Sequence, residues 1–478
     1  MRFVDNDDFD KVASLQRAMD KRSGRARGAQ ITDSDIANGR RLAAKFGQDL
    51  HYTAEHGWLV WDGRRWPHDH GSVRVQTLAK HVALSIYDEV KGAADKTEMY
   101  KHARQSQSRR AVEAMIWCAR SEPGIPIQLT QFDADPWLLN VANGTLDLRS
   151  GELREHRRSD LITRVIPITY AADALCPRWD AFLTQVTIEN AELADYLRRM
   201  VGYLLTGCTF EQVLHFLFGL GANGKSVFCE LIADLMGEYA IVVSPEMLMS
   251  KKHGGGIPND VARLRGARVA LMNETSQGSA FDEAKLKDLT GSDSINARFL
   301  RAEFFDFKPT HKLLVRGNHK PAISGTDDGI WRRLRLLPFA RLFAGDEQDP
   351  RLLEKLREEL PGILAWAVRG CLEWQSSGLK APAIITEASV EYRSDSDTLG
   401  KFLDEKCERR KLAQVKAGML YRAYQDFAKD IGERSMASKD LPHEMKRRGF
   451  DWKRTNQGGL YLGVELRGTD MPDWRNND

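Results

Sequence analysis

The sequence is poor in cysteine, and the few cysteines it has are scattered along the chain. None belongs to a Cys-x-x-Cys pair, which argues against a zinc site and against a disulfide framework. We expect them to be buried free thiols in a reducing cytosol. The six are Cys118, Cys176, Cys208, Cys229, Cys371 and Cys407.

Long apolar runs and a strong excess of either charge are also missing. No stretch of about 18 apolar residues occurs, and the acidic N-terminal residues Met1–Asp8 lack the apolar segment of a secretory signal. We therefore expect a cytoplasmic protein with no membrane partner. With 70 Lys and Arg against 67 Asp and Glu, the formal net charge is +3. Affinity for nucleic acid must then come from local basic patches.

Residues Gly219 to Ser226 match the pattern G-x-x-x-x-G-K-[ST] at every position. Glycines let backbone N–H groups curl around a phosphate, Lys225 neutralises phosphate charge, and the Ser226 hydroxyl binds Mg²⁺. An apolar strand, Leu214–Phe218, precedes the pattern and an amphipathic helix follows it, which is the context that the pattern requires. The sequence predicts that ATP with Mg²⁺ binds here, to Gly219, Gly221, Ala222, Asn223, Gly224, Lys225, Ser226 and Val227.

Further apolar segments near 269–272, 312–315 and 334–337 alternate with helical patterns, which predicts an α/β fold with a parallel sheet. Glu274 follows the first of these segments, at the tip of what we take to be the neighbouring strand. It could complete the Mg²⁺ site with Ser226 and orient the attacking water, or it could simply begin a polar loop. Asn318 could hydrogen-bond the γ-phosphate, although an Asn after a strand is usually a turn residue.

Two groups of arginines come from other parts of the same region. Arg332 or Arg333 could reach the nucleotide of an adjacent subunit, as arginines do in ring ATPases, or could belong to a salt-bridged strand end. Arg298 and Arg301 flank Phe299 in a predicted hairpin and could meet a DNA backbone and a base. A buried aromatic strand with surface arginines explains that second group almost as well.

The flanking segments differ in character from this centre. We expect a flexible basic arm over 1–30, an N-terminal α+β domain over 31–130 and a helical leader over 131–205. The first domain should contain a helix that Asp33 or Ser34 caps, a hairpin over Trp58–Trp66, and helices near 72–92 and 108–120. In the leader, two short strands should surround the Asn143-Gly144 turn.

The C-terminal segment, 391–478, shows a helix near 416–430, a second near 438–448 and a hairpin around the Gln457-Gly458-Gly459 turn. This order is typical of a winged helix. Its basic residues could contact DNA, or the domain could dock a protein and keep a solvated basic face. They are Lys446, Arg447, Arg448, Lys453 and Arg454.

Taken together, the block from Leu138 to Phe339 resembles the helicase part of the phage and plasmid primase family, which belongs to the superfamily 3 helicases of the AAA+ class and is related to the poxvirus primase-helicase. The stretches that carry the resemblance are Leu139–Leu148, Gly219–Ser226, Asn273-Glu274, Asp293–Arg298, Asn318–Pro321 and Trp331–Arg333.

This resemblance implies an AAA+ P-loop ATPase core over 206–390, between the α+β domain and the winged helix. It also implies a homo-hexameric ring, encoded by a phage or mobile element in a bacterial host, that hydrolyses ATP between subunits and moves 3′ to 5′ on single-stranded or forked DNA. Glu274 would be the Walker B acid, Asn318 a sensor and Arg298–Arg301 a pore hairpin. One departure concerns Asn273, where many such ATPases have Asp, so metal binding would rest more on Ser226 and water.

Other functions remain open. The chain could be an AAA+ origin-recognition or loader ATPase that uses ATP as a switch, or a small-molecule phosphotransferase, although no acceptor pocket or lid is evident. Primer synthesis is disfavoured, because about 130 residues precede the helicase-like block. The Asp133-Ala134-Asp135 acid pair is the one candidate for a primase metal site. A separate primase or another replication protein is a more plausible partner.

Overall fold

The computed structural model describes residues 33–250, 259–273, 280–299, 303–323, 328–433, 435–455 and 458–468. The predicted basic arm, Glu274, Arg301 and Gln457 lie outside these residues. The chain divides into two compact units. One contains residues up to 134 together with 158–163, and the other contains 135–157 and the residues from 164 onward.

The first unit packs helices around a two-stranded antiparallel sheet. Ser34 begins the first helix, because its hydroxyl accepts a hydrogen bond from Ala37 N at 3.1 Å. Leu42, Trp58, Val82 and Met115 are buried in the core that these elements share. The elements are α1 (Asp35–Phe46), β1 (Leu50–Thr53), β2 (Gly57–Val60), α2 (Val73–Glu89), α3 (Lys96–Gln105) and α4 (Arg109–Ala119).

The predicted hairpin over Trp58–Trp66 is confirmed in part, because beyond its turn the chain returns antiparallel to β2, with Val60 N donating to Pro67 O at 3.3 Å and Asp69 N donating to Trp58 O at 2.8 Å. β2 pairs with the preceding strand β1, with Tyr52 opposite Trp58. A turn does form at Asp62-Gly63, where Asp62 N donates to Arg65 O at 3.1 Å. The chain beyond it makes only a single bridge, between Leu59 and His68, among the residues that the structure describes. The indole of Trp66 instead packs inward and donates to Arg158 O at 2.9 Å.

The second unit is built on a five-stranded sheet with the order β12-β6-β11-β8-β7, in which every neighbouring pair is parallel. This confirms the predicted mixed α/β architecture with a parallel sheet. The strands are β6 (Leu214–Phe218), β7 (Ala240–Val243), β8 (Val269–Asn273), β11 (Lys312–Gly317) and β12 (Leu334–Pro338). The helices among them are α7 (Lys225–Met236), α8 (Asn259–Arg263), α9 (Glu283–Thr290) and α10 (Asp328–Trp331).

Both faces of this sheet are covered, which is why its strands are almost continuously apolar. Leu217, Leu271 and Leu314 face the core that contains α7. That core also holds α5 (Pro177–Val186), α6 (Ala191–Leu205), α12 (Leu360–Ser377) and the outer α11 (Leu352–Arg357). Phe216, Met272 and Val315 face the other core, which α9 and the hairpin of β9 (Ile295–Ala297) and β10 (Phe305–Phe307) help to close.

The strand order corrects one prediction. We expected the strand that precedes Glu274 to lie beside the strand that precedes the glycine loop. β11 lies between them and pairs with β6 on one side and with β8 on the other. Asn318, which follows β11, is therefore the nearer of the two predicted polar strand ends to the glycine loop.

The smaller elements of the second unit agree with the remaining predictions and add to them. The strands around Asn143-Gly144 are β3 (Leu138–Val141) and β4 (Gly144–Asp147), extended by β5 (Glu152–Arg154). After α13 (Ala383–Ser396) and α14 (Thr398–Lys406), the C-terminal segment has β13 (Cys407–Lys416), α15 (Ala417–Asp430), α16 (Leu441–Arg447), β14 (Trp452–Thr455) and β15 (Gly458–Leu466). The two helices and the hairpin were predicted, whereas β13, which pairs with β15, was not.

The six cysteines are free thiols, of which five are buried and Cys118 is partly exposed. Among the described helices, none is both long enough and apolar enough to cross a membrane.

Candidate nucleotide site

The glycine loop leaves the carboxyl end of β6 and runs directly into α7. Gly224 has φ +85°, and a Cβ there would lie 2.8 Å from Val186 Cγ1, so no other residue fits without displacing its neighbours. The loop is also tied to the segment that follows β12. The Asn223 amide donates to Phe339 O at 2.9 Å, and Ala222 O accepts from Phe343 N at 2.9 Å. The loop conformation is thus held in place by the chain itself.

Lys225 lies inside this loop and is only 5% exposed. Its ammonium donates to Gly219 O at 2.7 Å, to Leu220 O at 3.3 Å and to Asn223 Oδ1 at 2.9 Å. Burial is the main reason that the pKa of Lys225 is lowered to about 8; Cys229 opposes this effect, and the positive charge of Arg316 makes a smaller contribution in the lowering direction. The cation is therefore confined at the start of a helix, with no carboxylate among the three partners that hold it.

The loop borders a cavity of about 330 Å³ at the carboxyl edge of the sheet. The strand register explains which residues meet there, because Gly317 lies opposite Phe218 and Arg316 lies opposite Asn273. Asn318 therefore follows β11 at the level where the loop begins. The cavity is lined by Gly221, Ala222, Asn223, Gly224, Lys225, Ser226, Val227, Asn273, Arg316, Gly317 and Asn318.

The cavity offers oxygen ligands, the type that Mg²⁺ takes in proteins, and those of the described lining residues are all neutral. The Ser226 hydroxyl is exposed to it, and the Asn273 and Asn318 amides line it. Within the described residues, no group of three or more His, Cys, Asp and Glu side chains could hold a metal ion. These residues fit a Mg²⁺ ion that takes most of its ligands from phosphate and water.

The structure does not bring Arg332 and Arg333 to this cavity. They precede β12 at the amino edge of the sheet, where Arg333 O accepts from Leu214 N at 2.7 Å. The loop begins only after β6 has ended, about 16 Å farther along the strand direction. Arg332 is exposed and Arg333 is half-buried, and Arg335 Nη1 donates to Arg332 O at 2.7 Å, which fixes the turn that presents them.

The predicted pore hairpin exposes its aromatic residues. Phe299 is 41% and Phe304 is 51% exposed, and the Arg298 guanidinium lies 4.7 Å from the centre of the Phe304 ring. Phe307, at the base of the hairpin, and Ala297, at the end of β9 next to the turn, are buried in the core. The alternative of a buried aromatic strand therefore applies to the base of the hairpin and not to its outer part.

The basic residues of the C-terminal segment fall into two groups. Lys446, Arg447, Lys453 and Arg454 are exposed, and Arg447 makes a surface ion pair with Glu444 at 3.4 Å. Arg448 instead makes a two-pronged ion pair with Asp397, at 2.6 and 2.9 Å. Asp397 also caps α14 by accepting from Gly400 N at 2.9 Å, so Arg448 serves the fold of the segment.

Sequence reasoning did not select Arg316 as a site residue. The available signal was a cation at the last position but one of a strand whose middle, Leu313–Val315, is apolar, directly before Gly317-Asn318. A strand that is buried on both faces tolerates a charged residue only where it reaches water or a partner. A charged residue close to the carboxyl end of such a strand therefore indicates that its side chain lies at the edge of a binding site.

Comparisons with known proteins locate two family matches. A family model described as "D5 N terminal like" matches residues 39–188, and one described as "Family of unknown function (DUF5906)" matches residues 217–333. Among curated proteins, the chain is 26% identical over 302 residues to a protein of Acanthamoeba polyphaga mimivirus named "Putative helicase". It is 28% identical over 269 residues to another of that name from Frog virus 3 (isolate Goorha).

These alignments cover 59% and 52% of the chain but 31% and 27% of the viral proteins, so the chain spans less than a third of their length. Among solved structures, the chain is similar to the apo form of the NrS-1 C-terminal region. The match covers 90% of this chain and 99% of that one, with a TM-score of 0.48 and 9% identity. A likeness at that level adds no argument about function.

The buried position of Lys225 predicts a pH dependence of triphosphate binding. Its pKa of about 8 means that the free protein loses this positive charge above about pH 8. A bound polyphosphate favours the charged form, so binding above that pH must take up a proton, and affinity should fall by up to about tenfold per pH unit. Calorimetry of an ATP analogue in buffers of different ionisation enthalpy measures both quantities.

Lys225→Arg is the matched control, because a guanidinium keeps its charge throughout this range. Any binding that this variant retains should show a much weaker pH dependence. A wild-type affinity that stays level above pH 8, without proton uptake, would contradict the assignment.

Proposed function

The chain belongs to the primase-helicase family of phages and viruses, and on that premise we propose that it is an ATP-driven DNA helicase that acts in replication. The observation that carries the proposal is the cavity that the glycine loop, with Lys225 and Ser226, lines together with Asn318. A loop of this sequence pattern is typical of phosphate binding. The finer proposal is that six copies form a ring that translocates on single-stranded or forked DNA and consumes ATP with Mg²⁺.

The strand order supports an AAA+ core for this proposal. β11, which leads to Asn318, lies between β6, which leads to the glycine loop, and β8, which leads to Glu274. We assign the core to 206–390, the helical leader to 131–205 and the N-terminal α+β domain to 31–130. The arrangement of α15, α16 and the β14–β15 hairpin supports a winged helix over 391–478.

In the proposed reaction, the backbone of Gly219–Gly224 and the ammonium of Lys225 bind the β- and γ-phosphates. Ser226 holds Mg²⁺, which when bound neutralises charge that develops on the phosphate oxygens. Glu274 accepts the proton of the attacking water, and the Asn318 amide orients that water or the γ-phosphate. Lys225, Ser226 and Asn318 border the cavity from the carboxyl end of a strand or from the helix that follows one.

Arg332 and Arg333 complete this site in the neighbouring copy under the proposal. Their place at the amino edge of the sheet supports this assignment, since they are remote from the loop of their own chain. An arginine delivered by another subunit stabilises the charge of the transition state only after assembly. Hydrolysis would then depend on the ring.

DNA contacts are proposed for two surfaces. The β9–β10 hairpin carries the exposed Phe299 and Phe304 beside Arg298, and we propose Arg301, which lies outside the described residues, as a further DNA contact. Aromatic faces next to cations bind single strands through stacking and phosphate contacts. The C-terminal segment adds the exposed Lys446, Arg447, Lys453 and Arg454, whereas the ion pair of Arg448 with Asp397 favours a structural role for that residue.

One observation favours a second candidate, a loader or origin-recognition ATPase that uses ATP as a switch. The cavity presents Asn273 where a carboxylate would grip Mg²⁺ more strongly, which suits slow hydrolysis. For either function, we propose a separate primase as partner. The carboxylates considered for a primase site are already bonded, Asp133 to Thr163 N at 2.9 Å and Asp135 to Arg149 at 2.9 Å.

Unwinding of a forked duplex tests the first proposal against the second. We expect the full chain to separate the strands in the presence of ATP and Mg²⁺, with turnover that DNA stimulates.

Lys225→Ala should abolish nucleotide binding, turnover and unwinding while its circular dichroism spectrum stays unchanged. DNA-dependent turnover without strand separation would favour the switch. Full turnover by Lys225→Ala would refute the site, and turnover that ignores DNA would point to a small-molecule phosphotransferase.

The C-terminal basic residues give a separate prediction. Lys453→Ala with Arg454→Ala should weaken duplex binding and reduce the slope of log affinity against log salt by about two, because two phosphate contacts are lost. Thermal unfolding of this variant should match that of the wild type, since both side chains are exposed. Fluorescence anisotropy over a salt series measures the slope.

Arg448→Ala is the contrasting variant, because it breaks the ion pair with Asp397. It should lower the midpoint of thermal unfolding and leave the salt slope of duplex binding unchanged. An unaltered slope in the Lys453 and Arg454 double variant would remove these residues from the DNA surface.

A further inference from the structure

We propose that Arg316 is a second cation for the triphosphate in its own chain, and that Glu230 holds it in place while nucleotide is absent. The inference rests on the proposed nucleotide site and concerns how that site balances its charge. It assigns Arg316 a binding role at the γ-phosphate end of the cavity, in addition to Lys225.

The position of Arg316 follows from strand alternation. Leu314 faces the core that contains α7, so Arg316, two residues later, projects to the same face at the open end of β11. It lies opposite Asn273 of β8 and lines the cavity with the glycine loop. The charge of Arg316 also contributes to lowering the pKa of Lys225, so the two cations lie close enough to interact electrostatically.

The contact that holds Arg316 is weak enough to be exchanged. Nη1 lies 3.3 Å from Glu230 Oε1 on α7, and within the described residues this is the one hydrogen bond that its five N–H donors make. The Arg316 side chain is 19% exposed and that of Glu230 is 51% exposed. A half-exposed pair of this kind contributes little to stability, whereas a guanidinium fork matches two phosphate oxygens closely.

The charges around the cavity indicate that Arg316 neutralises phosphate charge. The described lining contains two cations, Lys225 and Arg316, and no carboxylate. β8 presents the neutral Asn273 to the cavity, and the register partner of Asn273 is the cation itself. An arginine here adds to the neutralisation that Mg²⁺ would supply to the γ-phosphate. The site should therefore retain triphosphate when Mg²⁺ is removed.

The competing explanation is that the Arg316–Glu230 pair only fastens α7 to β11. The two explanations differ in what Glu230 does. If the pair is structural, loss of either partner harms the loop in the same way. If Arg316 serves the nucleotide, loss of Glu230 frees the cation and leaves binding intact or strengthens it, whereas loss of Arg316 weakens it.

The test measures binding of a fluorescent ATP analogue to the full chain, with Mg²⁺ and with EDTA. We expect Arg316→Ala to weaken binding by about tenfold or more in EDTA, which is the usual effect of losing a hydrogen bond to a charged group. The loss should be smaller with Mg²⁺. Arg316→Lys should recover part of the loss, and Glu230→Gln should bind as tightly as the wild type or more tightly. Thermal unfolding of each variant reports on its fold.

Equal weakening by Arg316→Ala and Glu230→Gln, together with a lowered unfolding midpoint, would overturn the proposal in favour of the structural pair. Wild-type affinity in Arg316→Ala would also overturn it. Lys225→Ala keeps these results distinct from a failure of the proposed function. If the wild type binds the analogue no better than Lys225→Ala does, the nucleotide site itself is wrong, and the role of Arg316 falls with it.

Discussion

The nucleotide site depends on one buried interaction, the ammonium of Lys225 held by the backbone oxygens of its own loop. Carbonyls of Gly219 and Leu220 and the side chain of Asn223 keep the cation in place where β6 gives way to α7. The burial of that charge is costly unless a partner of opposite sign compensates it. A triphosphate is such a partner, so the loop is pre-organised for an anion that it does not itself supply.

The parallel sheet determines which other side chains can help. Carboxyl ends of parallel strands meet at one edge, so Asn273, Arg316 and Asn318 reach the same cavity from β8 and β11. Amino ends meet at the opposite edge, so Arg332 and Arg333 cannot serve the loop of their own chain. If Arg332 and Arg333 take part in hydrolysis, as proposed, they can do so only at the site of another copy.

The sequence allowed prediction of the features that depend on local pattern. The glycine loop, four of the five sheet strands and the parallel pairing follow from apolar runs and spacing, and Ser34 follows from capping chemistry. The features that were missed depend on distant contacts. The insertion of β11 between β6 and β8 is a matter of topology, and the pairing of β2 with β1 depends on which neighbour buries Trp58. The Arg448–Asp397 pair joins residues 51 positions apart, so no local sequence pattern could predict it.

The central claim is that hydrolysis needs the loop of one copy and the arginines of another. Mixing two inactive chains tests it most directly. One chain carries Lys225→Ala and keeps its arginines, and the other carries Arg332→Ala with Arg333→Ala and keeps its loop. Each alone should hydrolyse no ATP on single-stranded DNA, and the mixture should recover part of the wild-type turnover. If the arginine variant is active alone, or if the mixture stays inactive although both chains assemble, the account is contradicted.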